Sequence, residues 1–90
     1  MPNITSGMDI GQVRQLSKEL LDDAQQIRTL TRKLTARLDS VPWVGPDYSR
    51  FKGDWHGQHV GQLNNVANAL EEASRTATRN ANEQQQASGN

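Results

Sequence analysis

The fold of this chain is decided at SVPWVGPDYSRFKGDW, residues 40–55, which joins two long helical patterns. All four aromatic side chains of the 90-residue chain (two Trp, one Tyr and one Phe) lie in this stretch. Pro42 ends the first helix, because the residue before a proline avoids the α conformation. Gly45 permits a backbone conformation that other residues resist, and Pro46 followed by Asp47 is a good helix start. The stretch therefore predicts a tight turn between two helices.

The segment before the turn predicts one amphipathic helix over about residues 9–40, with Asp9 as a suitable N-cap. Large apolar residues recur seven apart, at Val13, Leu20, Ile27, Leu34 and Val41. A strict seven-residue repeat keeps its seam only if the helix supercoils around a neighbour. The opposite, solvent-facing side carries Lys18, Asp22, Gln25, Arg28 and Arg32.

A second helix is predicted from about residue 46 to residue 80. Its apolar stripe begins with aromatic side chains and ends in alanine: Tyr48, Phe51, Trp55, His59, Gln62, Leu63, Val66, Leu70, Ala73 and Ala77. Residues 81–90 contain no large apolar side chain and are predicted to be a disordered tail.

These elements predict an all-α fold, with residues 1–90 forming a single helical hairpin around a turn at 41–46. A short connection makes the helices antiparallel, and their broad apolar stripes favour two hairpins pairing into a four-helix bundle dimer. The residues expected at the hairpin and dimer interfaces are Val13, Leu16, Leu20, Ala24, Ile27, Leu30, Leu34, Leu38, His59, Leu63, Val66, Leu70, Ala73 and Ala77.

The aromatic residues are expected to close the turn end of the bundle. Tyr48, Phe51 and Trp55 are spaced three and four apart, so they share one face of the second helix. Burying each is worth roughly 2–3 kcal/mol, and Phe51 and Trp55 are expected in the core. Trp43, within the turn, either caps this end alone or also serves as an exposed recognition residue.

Composition excludes several classes of protein. Ten basic residues balance ten acidic ones, so there is no electrostatic footprint for nucleic acid, and without cysteine there is no disulfide framework. Only 33% of residues are hydrophobic, which favours helices that complete their core with a partner. The N-terminus lacks the apolar region of a signal peptide, and no apolar run is long enough to span a membrane. The ordinary interpretation is a protein that stays in the cytoplasm.

Two small constellations have plain explanations. Asp54, His56 and His59 lack a third histidine or a cysteine, so no metal is expected, and a helical hairpin has no deep pocket for catalysis or a cofactor. Gly53, Gly57 and Gly61 each cost about 1 kcal/mol relative to alanine inside a helix. They form either a tolerated, flexible segment or a bare ridge that receives another helix.

Trp43-Val44-Gly45 is a W-x-G motif at the centre of the chain, between two long helical patterns. With Asp47, Phe51 and Trp55 following it, the chain resembles the WXG family of small helical-hairpin proteins, relatives of the early secreted antigenic target, and its actinobacterial branch. The resemblance covers about residues 8–82.

The resemblance implies a head-to-tail homodimer or heterodimer that forms in the cytoplasm. It also implies export of the folded dimer by a type VII secretion system, without a signal peptide and driven by an FtsK-like ATPase. Family export often uses a Tyr-x-x-x-Asp/Glu motif after the second helix, beside the W-x-G turn of the partner. The resemblance therefore implies a secreted protein. We expect it to have no enzymatic activity, no cofactor and no stable insertion into a membrane.

This sequence departs from the family at the tyrosine motif. Its only tyrosine is Tyr48, with Lys52 four residues later, and the tail has Glu83 without a tyrosine. The hypothesis is therefore export with a partner that supplies the motif, either a small homologue or a larger effector for which this chain is the adaptor. The alternatives are a cytoplasmic structural coiled-coil dimer, whose W-x-G only caps the bundle, and a membrane-active secreted factor, which the non-basic polar face disfavours.

Overall fold

The chain is a helical hairpin in a computed structural model that describes residues 8–87. Helix α1 spans Ile10–Ser40, helix α2 spans Pro46–Asp54, a π-helical turn spans Trp55–His59, and helix α3 spans Val60–Ala87. Helix α3 returns along α1, and the hairpin measures 64 × 17 × 17 Å. The predicted all-helical arrangement, with a second helix packed against a long first one, is confirmed in this part of the chain.

The helix ends follow from local sequence. The Asp9 side chain accepts a hydrogen bond from the Gln12 backbone N–H at 3.1 Å, which caps α1. Val41 is extended, as expected for a residue that precedes proline, and it ends α1. Gly45 has φ 124°, in the region that favours glycine, and Pro46 then opens α2.

The contact between α1 and α3 is a seam of small side chains. The buried residues are spaced seven apart on both helices: Ser17, Ala24 and Thr31 on α1, and Ala67, Ser74 and Ala81 on α3. The three alanines are 0% exposed. No large side chain is fully buried in the described hairpin. The small side chains of the seam let the two backbones approach closely, which leaves no space for a larger side chain between them.

Hydroxyl groups satisfy one another within this seam. The Ser17 hydroxyl donates to the Ser74 carbonyl oxygen at 2.8 Å, and the Ser74 hydroxyl donates to the Ser17 carbonyl oxygen at 2.8 Å. Thr78 Oγ1 also contacts the Ser17 hydroxyl. Every buried side-chain polar atom among the described residues has a hydrogen-bond partner, so the seam is polar without an unsatisfied group.

The predicted tail is corrected over residues 81–87, which continue α3 rather than being disordered. Ala81 closes the seam, and the Arg14 guanidinium donates to Asn82 Oδ1 at 2.9 Å and to Gln85 Oε1 at 2.7 Å. Polar contacts and one buried methyl group thus extend the helix where no large apolar residue is present. Residues 88–90 lie outside the described part of the chain.

Helix packing separates two faces of the hairpin. Arg28 and Glu71, each four positions beyond a seam alanine, meet across one side, with Arg28 Nη2 2.9 Å from Glu71 Oε1. On the same side Arg14, three positions before Ser17, donates to Gln85, four positions beyond Ala81. The other side is shared by residues one position before a seam residue, and by residues three positions beyond the seam residues and beyond the positions that continue their seven-residue spacing. This apolar face consists of Val13, Leu16, Leu20, Ile27, Leu30, Leu34 and Val41 with Leu63, Val66, Leu70, Ala73 and Ala77.

Candidate interaction surface

The turn itself is built from backbone geometry. The Trp43 backbone N–H donates to the Val41 carbonyl oxygen at 2.9 Å, which closes a three-residue turn centred on Pro42. The Ser49 N–H donates to the Gly45 carbonyl oxygen at 3.1 Å. A Cβ atom at Gly45 would meet nothing within 4 Å, so glycine is required there by its φ of 124° and not by crowding.

Trp43 lies at the tip of the hairpin and is 41% exposed. Its ring packs at tilted angles on Tyr48, with centroids 5.2 Å apart, and on Phe51, with centroids 6.1 Å apart. Val44 beside it is 90% exposed. The tip therefore exposes to solvent the Trp43 indole ring, which packs on Tyr48 and Phe51, and the isopropyl group of Val44. This arrangement is suited to contact with another protein.

Two hydrogen bonds orient the other aromatic side chains against α1. The Tyr48 hydroxyl donates at 2.8 Å to the Leu38 carbonyl oxygen, in the last turn of α1 where carbonyl groups lack helical partners. Trp55 Nε1 donates to Thr35 Oγ1 at 2.8 Å. Both rings are half-buried, so they hold the turn end of the two helices together.

Phe51 is not in a core, contrary to expectation, because 49% of it is exposed. With five other residues it lines an apolar cleft of about 250 Å³ at the turn end of the apolar face: Leu34, Arg37, Leu38, Val41, Phe51 and Trp55. A single hairpin has no further helix to cover this cleft. The cleft and the apolar face are continuous through Leu34.

The predicted interface residues divide by exposure. Only Ala24 is buried in the seam. Seven are half-buried beside the seam: Val13, Leu20, Ile27, Leu38, Leu63, Leu70 and Ala77. Six are exposed: Leu16, Leu30, Leu34, His59, Val66 and Ala73. Most of the large apolar residues thus flank the hairpin's own seam and remain partly uncovered, with Leu30 53% exposed.

The π-helical turn decides which residues of α2 meet α1. The Val60 N–H donates to the Trp55 carbonyl oxygen, five residues back, so this turn holds one residue more than an α-helical turn. Without that extra residue, the seven-residue spacing of the seam would place Gly53 toward α1. The π-helical turn instead directs Trp55 toward α1, where it reaches Thr35.

The three glycines of this region point outward. A Cβ atom added at Gly53, Gly57 or Gly61 would meet nothing within 4 Å. No packing within the described chain therefore requires these glycines.

Asp39, at the end of α1, lies between two basic side chains from the second half of the hairpin. His56 Nε2 is 3.2 Å from Asp39 Oδ1, and Lys52 Nζ is 3.6 Å from the same oxygen. The hydrogen bond with His56 lowers the pKa of Asp39 below its ordinary value of 3.8; desolvation opposes this, and the charge of Lys52 adds to it. This contact therefore contributes stability above pH 3.8, and the contribution is lost as the pH falls through the lowered pKa of Asp39.

We expect the pKa of the Asp39 carboxyl, followed by NMR during an acid titration, to lie below 3.8 in the wild-type chain. His56→Ala should raise it toward the ordinary value, because the hydrogen bond is the largest cause of the shift. Lys52→Met should raise it less. An Asp39 pKa that does not change in His56→Ala would show that the contact is absent in solution.

Residues 8–87 contain no group of three or more His, Cys, Asp or Glu side chains placed to hold a metal ion. His56 faces Asp39, whereas His59 Nδ1 lies 3.2 Å from Gln62 Oε1, so the two histidines are engaged separately. None of the helices in the described range is long and apolar enough to cross a membrane.

Several residues of this surface were not apparent from the sequence. Thr35 and Asp39, which receive Trp55 and His56, have no local pattern that marks them. The seam was readable in principle, because Ser17, Ala24 and Thr31 are small residues seven apart, but the larger residues at Val13, Leu20 and Ile27 carry the stronger apolar signal.

The chain matches no protein-family model, no curated protein and no solved structure.

Proposed function

We propose that this chain belongs to the WXG family and is a type VII secretion substrate or co-exported partner. In this proposal it is a non-catalytic hairpin that dimerises and presents part of a composite export signal. One form of this role is that of an adaptor for a larger effector. The observation that carries the proposal is Trp43, held half-exposed at the tip of a turn that depends on Gly45.

The uncovered apolar face supports the requirement for a partner. Leu16, Leu30, Leu34 and Val66 are each about half exposed, and the cleft beside Phe51 is open. A second hairpin laid on this face would bury these side chains in a four-helix bundle. Burial of each is worth about 1.5–3 kcal/mol when complete, so pairing adds substantially to a core that consists of alanine, serine and threonine.

The position of Tyr48 supports a division of the export signal between two chains. Its hydroxyl donates to Leu38 within the hairpin, which gives this tyrosine a structural role. The Tyr-x-x-x-Asp/Glu motif is then supplied by another chain, either a second W-x-G hairpin protein or a larger effector. The complex assembles in the cytoplasm, is recognised by an FtsK-like ATPase, and is secreted without a signal peptide.

Export measured in an actinobacterial host with a type VII system tests the proposal. Wild-type chain should reach the culture supernatant only when the ATPase gene is intact. Trp43→Ala should remain in the cell lysate, and the amount in the supernatant should be no greater than for wild-type chain in cells without the ATPase. The substitution removes the exposed ring without disturbing the seam. Gln58→Ala, an exposed change outside the W-x-G turn of residues 41–46, is the matched control and should be exported normally.

The packing of Trp43 on Tyr48 and Phe51 also favours the alternative, a cytoplasmic structural dimer in which the tryptophan only caps the bundle. In that case Trp43→Ala lowers the melting temperature and no variant is found outside the cell. Export of Trp43→Ala at the wild-type level, or of wild-type chain without the ATPase, contradicts the proposed function.

A further inference from the structure

The two parts of the hairpin on either side of the π-helical turn meet α1 in different ways. Helix α3 contacts α1 extensively along the buried seam, whereas α2 contacts it little. None of the residues 42–59, here called the turn-end unit, is buried. The last buried residue of α1 is Thr31, so the seam ends before the part of α1 that faces this unit. The turn-end unit therefore lies outside the core of small side chains.

Side-chain contacts tether the turn-end unit to the last turns of α1. Trp55 Nε1 donates to Thr35 Oγ1 at 2.8 Å, and the Tyr48 hydroxyl donates to the Leu38 carbonyl oxygen at 2.8 Å. The Asp39 carboxylate pairs with two basic side chains of the unit that are 42% and 41% exposed. Contacts that are partly open to water each contribute little to stability. Detaching the unit therefore costs less free energy than separating the seam.

The backbone that joins the turn-end unit to α3 is suited to bending. The π-helical turn Trp55–His59 interrupts the α-helical hydrogen-bond pattern at this point. Gly53, Gly57 and Gly61 lie four residues apart across it, and a Cβ atom added at any of them would meet nothing within 4 Å. Packing gives no reason for glycine at these positions, and each glycine weakens a helix. What glycine supplies there is backbone freedom.

Aromatic contacts hold the turn-end unit together as one body. Trp43 packs on Tyr48 and Phe51, so the W-x-G turn and α2 are joined by their own side chains. Phe51 and Trp55 also line the apolar cleft from this side, and the remaining lining residues all belong to the end of α1: Leu34, Arg37, Leu38 and Val41. Outward movement of the unit therefore widens the cleft and leaves the contacts of Trp43 unchanged.

We propose that the turn-end unit is a hinged lid on the apolar cleft, which opens about the glycine-flanked π-helical turn while the α1–α3 seam stays closed. Its second pivot is Val41, which leaves α1 in an extended conformation. Opening breaks the tethers to Thr35, Leu38 and Asp39 and exposes the α1 side of the cleft. The inference concerns motion within one chain and does not rest on the proposed export role.

Hydrogen exchange of the full chain, followed by NMR residue by residue, tests for separate opening of the unit. Amides of residues 50–59 should exchange as a group at least about tenfold faster than those of Ala67 and Ser74, after correction for intrinsic rates. Thr35→Val removes the acceptor of Trp55 with little change of shape, so it should speed exchange of that group about fivefold and leave the seam amides unchanged. Thr29→Val, at an exposed threonine of the same helix, should alter neither group.

A substitution within the hinge should have the opposite effect. Gly57→Ala should slow exchange of residues 50–59 about twofold or more, because alanine restricts the backbone and meets no other atom. Asn65→Ala, at an exposed position of α3, should leave exchange of that group unchanged, since α3 stays folded when the lid opens. Circular dichroism checks that each variant retains its helicity.

The inference is overturned if residues 50–59 and the seam amides exchange at the same corrected rate and respond equally to Thr35→Val, because the hairpin then opens only as a whole. It is also overturned if Gly57→Ala does not slow exchange of residues 50–59. Export that depends on Trp43 in a chain whose turn end opens only with the seam would leave the proposed function standing. A hinged lid in a chain that is never exported would contradict the proposed function alone.

Discussion

Ala67→Leu should lower the free energy of unfolding by roughly 3 kcal/mol, because it overpacks the closest contact between the two helices. Ala67 is 0% exposed, and the Ser17–Ser74 pairing, continued by one seven-residue repeat, places it opposite Ala24. Two alanines let the backbones approach closely, so a leucine there forces α3 away from α1. That displacement also breaks the reciprocal hydrogen bonds of Ser17 and Ser74, leaving buried hydroxyl groups without partners.

Ala69→Leu is the matched control, because Ala69 is exposed on the same helix. We expect it to change the unfolding free energy by less than about 0.5 kcal/mol. The two variants are compared by urea or thermal unfolding, followed by circular dichroism at a helix-sensitive wavelength. Equal stability of Ala67→Leu and Ala69→Leu would mean that the small-residue seam is not where the helices meet.

Deletion of Gly57 should leave the hairpin intact and raise its stability by about 1 kcal/mol, the amount a glycine costs inside a helix. The π-helical turn at Trp55–His59 contains one residue more than an α-helical turn needs. Removing that residue makes the helix continuous and keeps Trp55 and Val60 on the side that meets α1. The hydrogen bond from Trp55 Nε1 to Thr35 Oγ1 is retained.

Deletion of Thr29, an exposed residue of α1, is the contrasting change. It rotates one half of α1 by about 100° relative to the other, because an α-helix has 3.6 residues per turn. Ser17 and Ala24 then cannot face α3 together with Thr31, so we expect the loss of cooperative unfolding. If deleting Gly57 is as disruptive as deleting Thr29, the π-helical turn is not a one-residue insertion in the helix register.

The elements themselves could be predicted because they depend on nearby residues. Asp9, Pro42, Gly45 and Pro46 act on the backbone within one or two positions, through a side-chain cap, a fixed φ or a permitted positive φ. Helical spacing of apolar residues marked the extent of α1 for the same reason. The hairpin follows from a connection too short for any other arrangement.

The sequence was less informative about which surfaces meet. Large apolar residues such as Ile27 and Leu34 were expected at the hairpin or dimer interface, since burying them removes the most apolar area from water. The backbones instead approach through Ala24 and Ala67, and the larger residues are displaced to one side. Phe51 was expected in the core by the same reasoning, and α3 was expected to end before Ala81 because small residues carry a weak apolar signal.

The sequence by itself therefore determined the two helical segments, the turn between them and the concentration of aromatic residues at one end, since each is set by short-range backbone and side-chain chemistry. Only the tertiary structure decided the seam, the π-helical turn that directs Trp55 to Thr35, and the contact of Arg14 with Asn82 and Gln85 that accompanies the extension of α3 to Ala87. Those features depend on the close approach of residues from 20 to 71 positions apart in the chain, which helical periodicity along one segment does not encode.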